Sequence, residues 1–142
     1  MLEEILKSII ELGADKELAE MVLKRLSSLG YKVTEDDVYP VYFSITETVC
    51  HINNVCHTDV LEEKLKFHAV NRICGKFLEE KKNMGRLEDF DIDQAMTSVK
   101  LGDTTVDFSS ADSASSKFAS LVNVLKNSGE GELKCYRKIR FR

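Results

Sequence analysis

The spacing of apolar positions divides the chain into a helical first part and a strand-like last part. Leu2, Ile5, Leu6, Ile9 and Leu12 recur at helical spacing, and Gly13 follows as a natural left-handed stop, so a short first helix is expected. Asp15 is placed to cap a second helix with the stripe Leu18, Val22, Leu26 and Leu29, which Gly30 ends. Thr34 is followed by Glu35, Asp36 and Asp37, and Pro40 sits where a first-turn proline is tolerated. A third helix therefore begins near Asp37 and buries Val38, Val41, Tyr42, Ile45, Val49, Ile52 and Cys56. Thr58 or Asp59 is the expected cap of a fourth helix that runs to about Lys82 and stops at Asn83 and Gly85. Its apolar positions (Val60, Leu61, Leu65, Phe67, Ala69, Val70, Ile73, Cys74, Phe77, Leu78) cover more than one face, which places it at the centre of the bundle.

Beyond Arg86 the period changes. Val99-Lys100-Leu101 and Thr104-Thr105-Val106-Asp107-Phe108 flank Gly102-Asp103, a hairpin signal with one apolar face. A lone two-stranded hairpin is marginal in water, so that face needs a cover. Ser109 to Ser116 reads as a loop, and Phe118, Leu121, Val122 and Leu125 as one short helix ended by Gly129. From Leu133 to Arg142, Leu133, Cys135, Ile139 and Phe141, with Arg137 in the same register, alternate with Lys134, Tyr136, Lys138, Arg140 and Arg142. This is a strand pattern whose edge seeks a partner. The expected fold is mainly α: a helix bundle of four to five helices with a β-hairpin and an extended C-terminal strand or arm. One domain spans 1–142, with the bundle at 1–85, the hairpin at 97–108, the short helix at 112–128 and the arm at 132–142.

Composition narrows the function classes. The chain has 142 residues, the size of a single domain, and its 43% hydrophobic content excludes intrinsic disorder. The longest uncharged apolar stretch, Val38 to Val49, is interrupted by Pro40 and Glu47, whereas a membrane span needs about 20 apolar residues. The acidic start Met1-Leu2-Glu3-Glu4 is the opposite of a secretory leader, so a protein kept inside the cell is expected, with Cys50, Cys56, Cys74 and Cys135 as reduced thiols. A net charge of −4 argues against general DNA binding. The exception is the tail, where Lys134, Arg137, Lys138, Arg140 and Arg142 cluster and suit an acidic partner surface or a DNA backbone.

Candidate chemistry is sparse. Cys50-His51 and Cys56-His57 offer zinc-type ligands, but six residues apart on a helix they point away from one another, and the plainer reading makes both cysteines small core residues beside helix-bordering histidines. Cys74 with His68 has the same defect as a nucleophile and base, and His68 reads instead as a helix-surface or interface residue. The glycines form no phosphate cradle, and Asp89, Asp91 and Asp93 lack the glycine and closing glutamate of a calcium loop. No catalytic residue, cofactor or metal is assigned.

One resemblance adds to this. The segments Ala69-Val70-Asn71-Arg72-Ile73-Cys74-Gly75-Lys76-Phe77-Leu78-Glu79-Glu80-Lys81-Lys82, Ser98-Val99-Lys100-Leu101-Gly102-Asp103-Thr104-Thr105-Val106 and Cys135-Tyr136-Arg137-Lys138-Ile139-Arg140 resemble the head-tail connector (adaptor) proteins of tailed bacteriophages and prophages. The likeness covers roughly residues 40–142. It implies a non-catalytic subunit of a homo-oligomeric ring, typically of twelve copies, between the portal protein and a tail-completion or terminator protein, with DNA passing through unread. It also implies assembly in the host bacterial cytoplasm and residence in the virion neck, without a membrane. The expected interface residues are Val99, Leu101, Asp103, Thr105, Val106 and Phe108 of the hairpin and Tyr136, Arg137, Lys138, Arg140 and Arg142 of the arm. The alternatives are a small nucleic-acid-binding regulator and a Cys/His metal-binding protein.

Overall fold

The computed structural model describes residues 2–87, 90, 95 and 114–131. Helix α1 spans Leu2–Leu12 and turns inward only Ile5 and Ile9 as fully buried residues. Leu2 and Leu12, expected in its stripe, are 49% and 44% exposed, because each lies at an end of the helix beyond the reach of its neighbours. Gly13 stops the helix at φ 121°, in the region that glycine alone adopts without strain. Helix α2, Lys16–Ser28, starts on Asp15, whose carboxylate accepts from the Leu18 N–H at 3.0 Å. It closes with the Tyr31 N–H donating back to the Leu26 carbonyl at 2.9 Å across left-handed Gly30.

A short 3-10 turn, Glu35–Asp37, leads into α3, Val38–Cys56. Pro40 falls in the first turn of α3, where its missing N–H breaks no helical bond. His57 ends α3 in a left-handed conformation, φ 53° and ψ 46°, and the Thr58 N–H donates to the Asn53 carbonyl at 3.0 Å.

The fourth helix starts later than the sequence suggests. Helix α4 spans Lys66–Asn83 and is preceded by a 3-10 turn, Glu63–Leu65. Thr58, an expected cap, uses its hydroxyl to donate to the Val60 carbonyl at 3.1 Å and so closes a local turn. Val60 and Phe67 each stay 73% exposed, and Leu65, fully buried, is the residue that anchors the connection. Helix α5 spans Ala114–Lys126, and left-handed Gly129 follows it.

Among the described residues these five helices make the protein mainly helical. Helix α4 packs against α2, α3 and α5, while α1 lies on α2 and α3. That arrangement accounts for the several apolar faces of α4. The main core draws buried residues from all five helices, Ile9, Leu26, Ile45, Phe77 and Leu121 among them. Ile52, Cys56, Leu65 and Ala69 form a smaller cluster where α3 meets the start of α4. The expected hairpin at 97–108 and arm at 132–142 lie outside the described residues.

Candidate functional site

Helix α3 has two characters. Its inner side buries Val41, Ile45, Ile52 and Cys56, together with the polar Ser44 and Thr48. Its outer side carries Tyr39 and Phe43, whose rings stack at a centroid distance of 6.3 Å and an interplanar angle of 28°. These rings are 63% and 45% exposed, an unusual outlay of aromatic surface in water. The same outer stripe continues through the exposed Thr46, Cys50 and Asn54. Sequence reasoning passed over this pair, although the signal was there: Tyr39 and Phe43 stand four apart, and neither belongs to the buried stripe.

The stripe leads into a groove of about 750 Å³ between the α1–α2 turn, the second half of α3 and the connection before α4. Leu18, Val49 and Leu61 supply its apolar lining, and Asp15, Asp59 and Glu63 its carboxylates. Among the described residues of the lining Lys66 is the one cation, and it is engaged: its ammonium lies 3.0 Å from Glu63 and 3.0 Å from Glu17. Hydrogen bonds that the Lys66 ammonium donates to these carboxylates, Glu63 first, hold its pKa above the usual lysine value. The groove therefore combines these apolar residues with the polar Thr46, Asn53, Asn54 and Thr58 and an acidic margin.

A polar seam joins α4 to the end of α5. The Arg72 Nε–H donates to the Ser128 carbonyl at 2.8 Å, and its Nη2 pairs with Glu130 at 3.1 Å. His68 Nδ1 lies 2.8 Å from Ser128 Oγ, which also receives an N–H of Asn71 at 3.3 Å. Asn71 in turn accepts from Arg25 Nε of α2 at 3.1 Å. A serine beside a histidine invites a nucleophilic reading, but each contact here satisfies the backbone and side chains at a helix end and ties three helices together.

A second polar cluster fastens the start of α3 to the end of α4. Asp37 is fully buried, and Lys81, 7% exposed, places Nζ 2.8 Å from its Oδ1. The other oxygen accepts from the Tyr31 hydroxyl at 2.9 Å and from the Thr34 N–H at 2.9 Å. Burial, followed by the bond to Asp37, raises the pKa of the Tyr31 phenol well above its ordinary value.

The paired Cys-His dipeptides are not brought together. Cys50 and His51 are exposed on α3, Cys56 is buried, and His57 is the left-handed cap. Cys50 was expected in the core and lies outside it, because it follows the Phe43 stripe rather than the Ile45 one. Burial, with the charge of Glu62 adding to it, raises the Cys56 pKa. Cys74 is also buried, its thiol pushed up to about 12 by desolvation, with Sγ 3.9 Å from the Val22 carbonyl rather than near His68. No group of three or more His, Cys, Asp or Glu among the described residues is placed to hold a metal ion. Nor is any described helix long and apolar enough to cross a membrane. Asp89, Asp91 and Asp93 lie outside the described residues, as do Val99, Leu101, Asp103, Thr105, Val106, Phe108, Tyr136, Arg137, Lys138, Arg140 and Arg142. In comparisons with known proteins, no family model, curated protein or solved structure matches the chain.

Proposed function

We propose that this protein is a structural, non-catalytic subunit of a homo-oligomeric ring, the head-tail connector of a phage or prophage neck, seated between a portal protein and a tail-completion protein. The observation that carries this reading is the outer face of α3, where the stacked Tyr39 and Phe43 run into a partly apolar groove with an acidic margin. A surface of that kind gains free energy when another chain covers it, since each buried aromatic ring contributes about 1.5–3 kcal/mol. The choice of a connector ring among possible assemblies rests on the resemblance of residues 69–82, 98–106 and 135–140 to connector proteins. Ring subunits meet head to tail, so they need two different matching surfaces, and a bundle with a groove plus a basic tail meets that need.

The test is binding to purified portal rings, imaged by electron microscopy, with the full chain and with residues 133–142 deleted. A ring of added density on the portal that disappears on deletion is the expected result. Absence of any association with portal, or association unchanged by the deletion, counts against the reading.

A further inference from the structure

The acidic groove and the basic tail of this chain are complementary in both charge and pattern. The chain carries −4 overall, and residues 132–142, with five cations and one glutamate, contribute +4, so the remaining 131 residues carry −8. Within that acidic body, Asp15, Asp59 and Glu63 stand around the apolar Leu18, Val49 and Leu61, and Lys66, the one lysine among the described lining residues, already faces two carboxylates. The tail alternates Leu133, Cys135, Ile139 and Phe141, a set that Arg137 interrupts, with Lys134, Tyr136, Lys138, Arg140 and Arg142. A segment laid along the groove in extended form would turn one of these sets toward Leu18, Val49 and Leu61 and the other toward a margin that stays net negative, although Asp15 caps α2 and Glu63 pairs with Lys66. We propose that the groove between the α1–α2 turn, α3 and the 57–66 connection binds residues 132–142 of a second copy of this chain. The inference rests on the ring reading for the choice of a second copy over the chain's own tail, because a head-to-tail ring passes one element from each subunit to the next.

Two native cysteines allow a direct test without substitution. Cys50 lines the groove and is exposed, Cys135 belongs to the tail, and Cys56 and Cys74 are buried. Full-length protein labelled with nitrogen-15 is mixed with unlabelled protein, treated with a short bis-maleimide and analysed by mass spectrometry. Cys50–Cys135 links that join a heavy to a light peptide, and that fall several-fold at high salt, are the expected result. With the two proteins unfolded and refolded together so that subunits mix, links found only within one isotope would place the tail in its own subunit's groove and overturn the proposal. A fluorescent peptide of residues 132–142, titrated with the full chain, supplies the second measurement. Its affinity should fall at least several-fold for the double variant Asp59→Lys, Glu63→Lys, and absent binding, or binding indifferent to those changes, overturns the proposal as well. Rings formed on portal without the Cys50–Cys135 link would sink the groove assignment and leave the connector reading standing. Mixed-isotope links in a protein that ignores portal would do the reverse.

Discussion

Gly75 of α4 and Leu125 of α5 face each other so closely that a Cβ at position 75 would lie 2.8 Å from the Leu125 Cβ. The same added carbon would stand 3.1 Å from the Lys126 backbone nitrogen, which a side-chain rotation cannot relieve. The glycine is therefore a condition for the contact between these two helices. Gly75→Ala should destabilise the protein by about 1–3 kcal/mol, the usual result of forcing extra volume into a packed contact. Urea unfolding followed by circular dichroism checks this; an unchanged midpoint would show that α5 can shift at little cost.

The Asp37–Lys81 pair gives a larger expected effect. Both groups are buried, so removing the ammonium leaves a carboxylate out of water with its Oδ1 unmatched. Lys81→Met should cost about 3–5 kcal/mol, against ~0–1 kcal/mol for the same change at the exposed Lys24 of the Lys24–Glu20 pair. Chemical denaturation of the two variants side by side measures the difference.

Alkaline pH should weaken the fold. The Cys74 thiol titrates ordinarily at 9.0 and is pushed up to about 12 in the folded chain. Below pH 9 both states keep the proton and the contribution is fully present. Above it the unfolded chain ionises first, so stability falls by up to ~1.4 kcal/mol per pH unit until the folded thiol ionises too. Tyr31, raised from its ordinary 10.0 by burial and Asp37, adds to the loss from that pH upward. Urea midpoints between pH 8 and pH 11 should therefore decline, and the Cys74→Ala variant should decline less steeply.

Thiol labelling should separate the described cysteines by burial. Cys50 is exposed, while Cys56 and Cys74 have no access to water and thiol pKa values raised by burial. Iodoacetamide followed by peptide mass spectrometry should modify Cys50 at a rate typical of a free thiol, with Cys56 and Cys74 protected until denaturant is added. Equal labelling of Cys50 and Cys56 in the native protein would contradict the placement of the Ile52–Cys56 cluster.

The aromatic face of α3 should matter for association and little for folding. Tyr39→Ser with Phe43→Ser removes surface that is already largely in water, so stability should change by less than about 1 kcal/mol. Sedimentation velocity or portal binding should meanwhile show loss of assembly. A variant that assembles like the parent would remove α3 from the interface.

How much of this could be read from residues alone differs by element. Helices α1, α2 and α5 announce themselves through their apolar period and glycine stops and α3 through its apolar stripe alone, and Asp15, Gly30 and Gly129 act at the positions their chemistry indicates. The start of α4 does not. Thr58 and Asp59 carry the composition of a cap, yet the Thr58 hydroxyl is consumed by a local turn and Val60 stays in water, leaving Leu65 to fix the helix. Composition cannot tell a capping hydroxyl from a turn-forming one, since both accept or donate to nearby backbone. The outer face of α3 was legible only by subtraction, as the aromatic residues its buried stripe left over. Buried Asp37, Arg72 and Lys81 were opaque, because a charged residue signals solvent unless its partner is known, and those partners lie between 44 and 58 positions away.

The bond from Arg72 to the Ser128 carbonyl has a mechanical result. It pins the last described turn of the chain to the most enclosed helix of the bundle, so whatever follows Gly131 leaves from a fixed origin rather than from a swinging hinge. Eleven residues starting there extend no farther than about 36–40 Å. That radius bounds the spacing between adjacent subunits that any tail exchange could bridge.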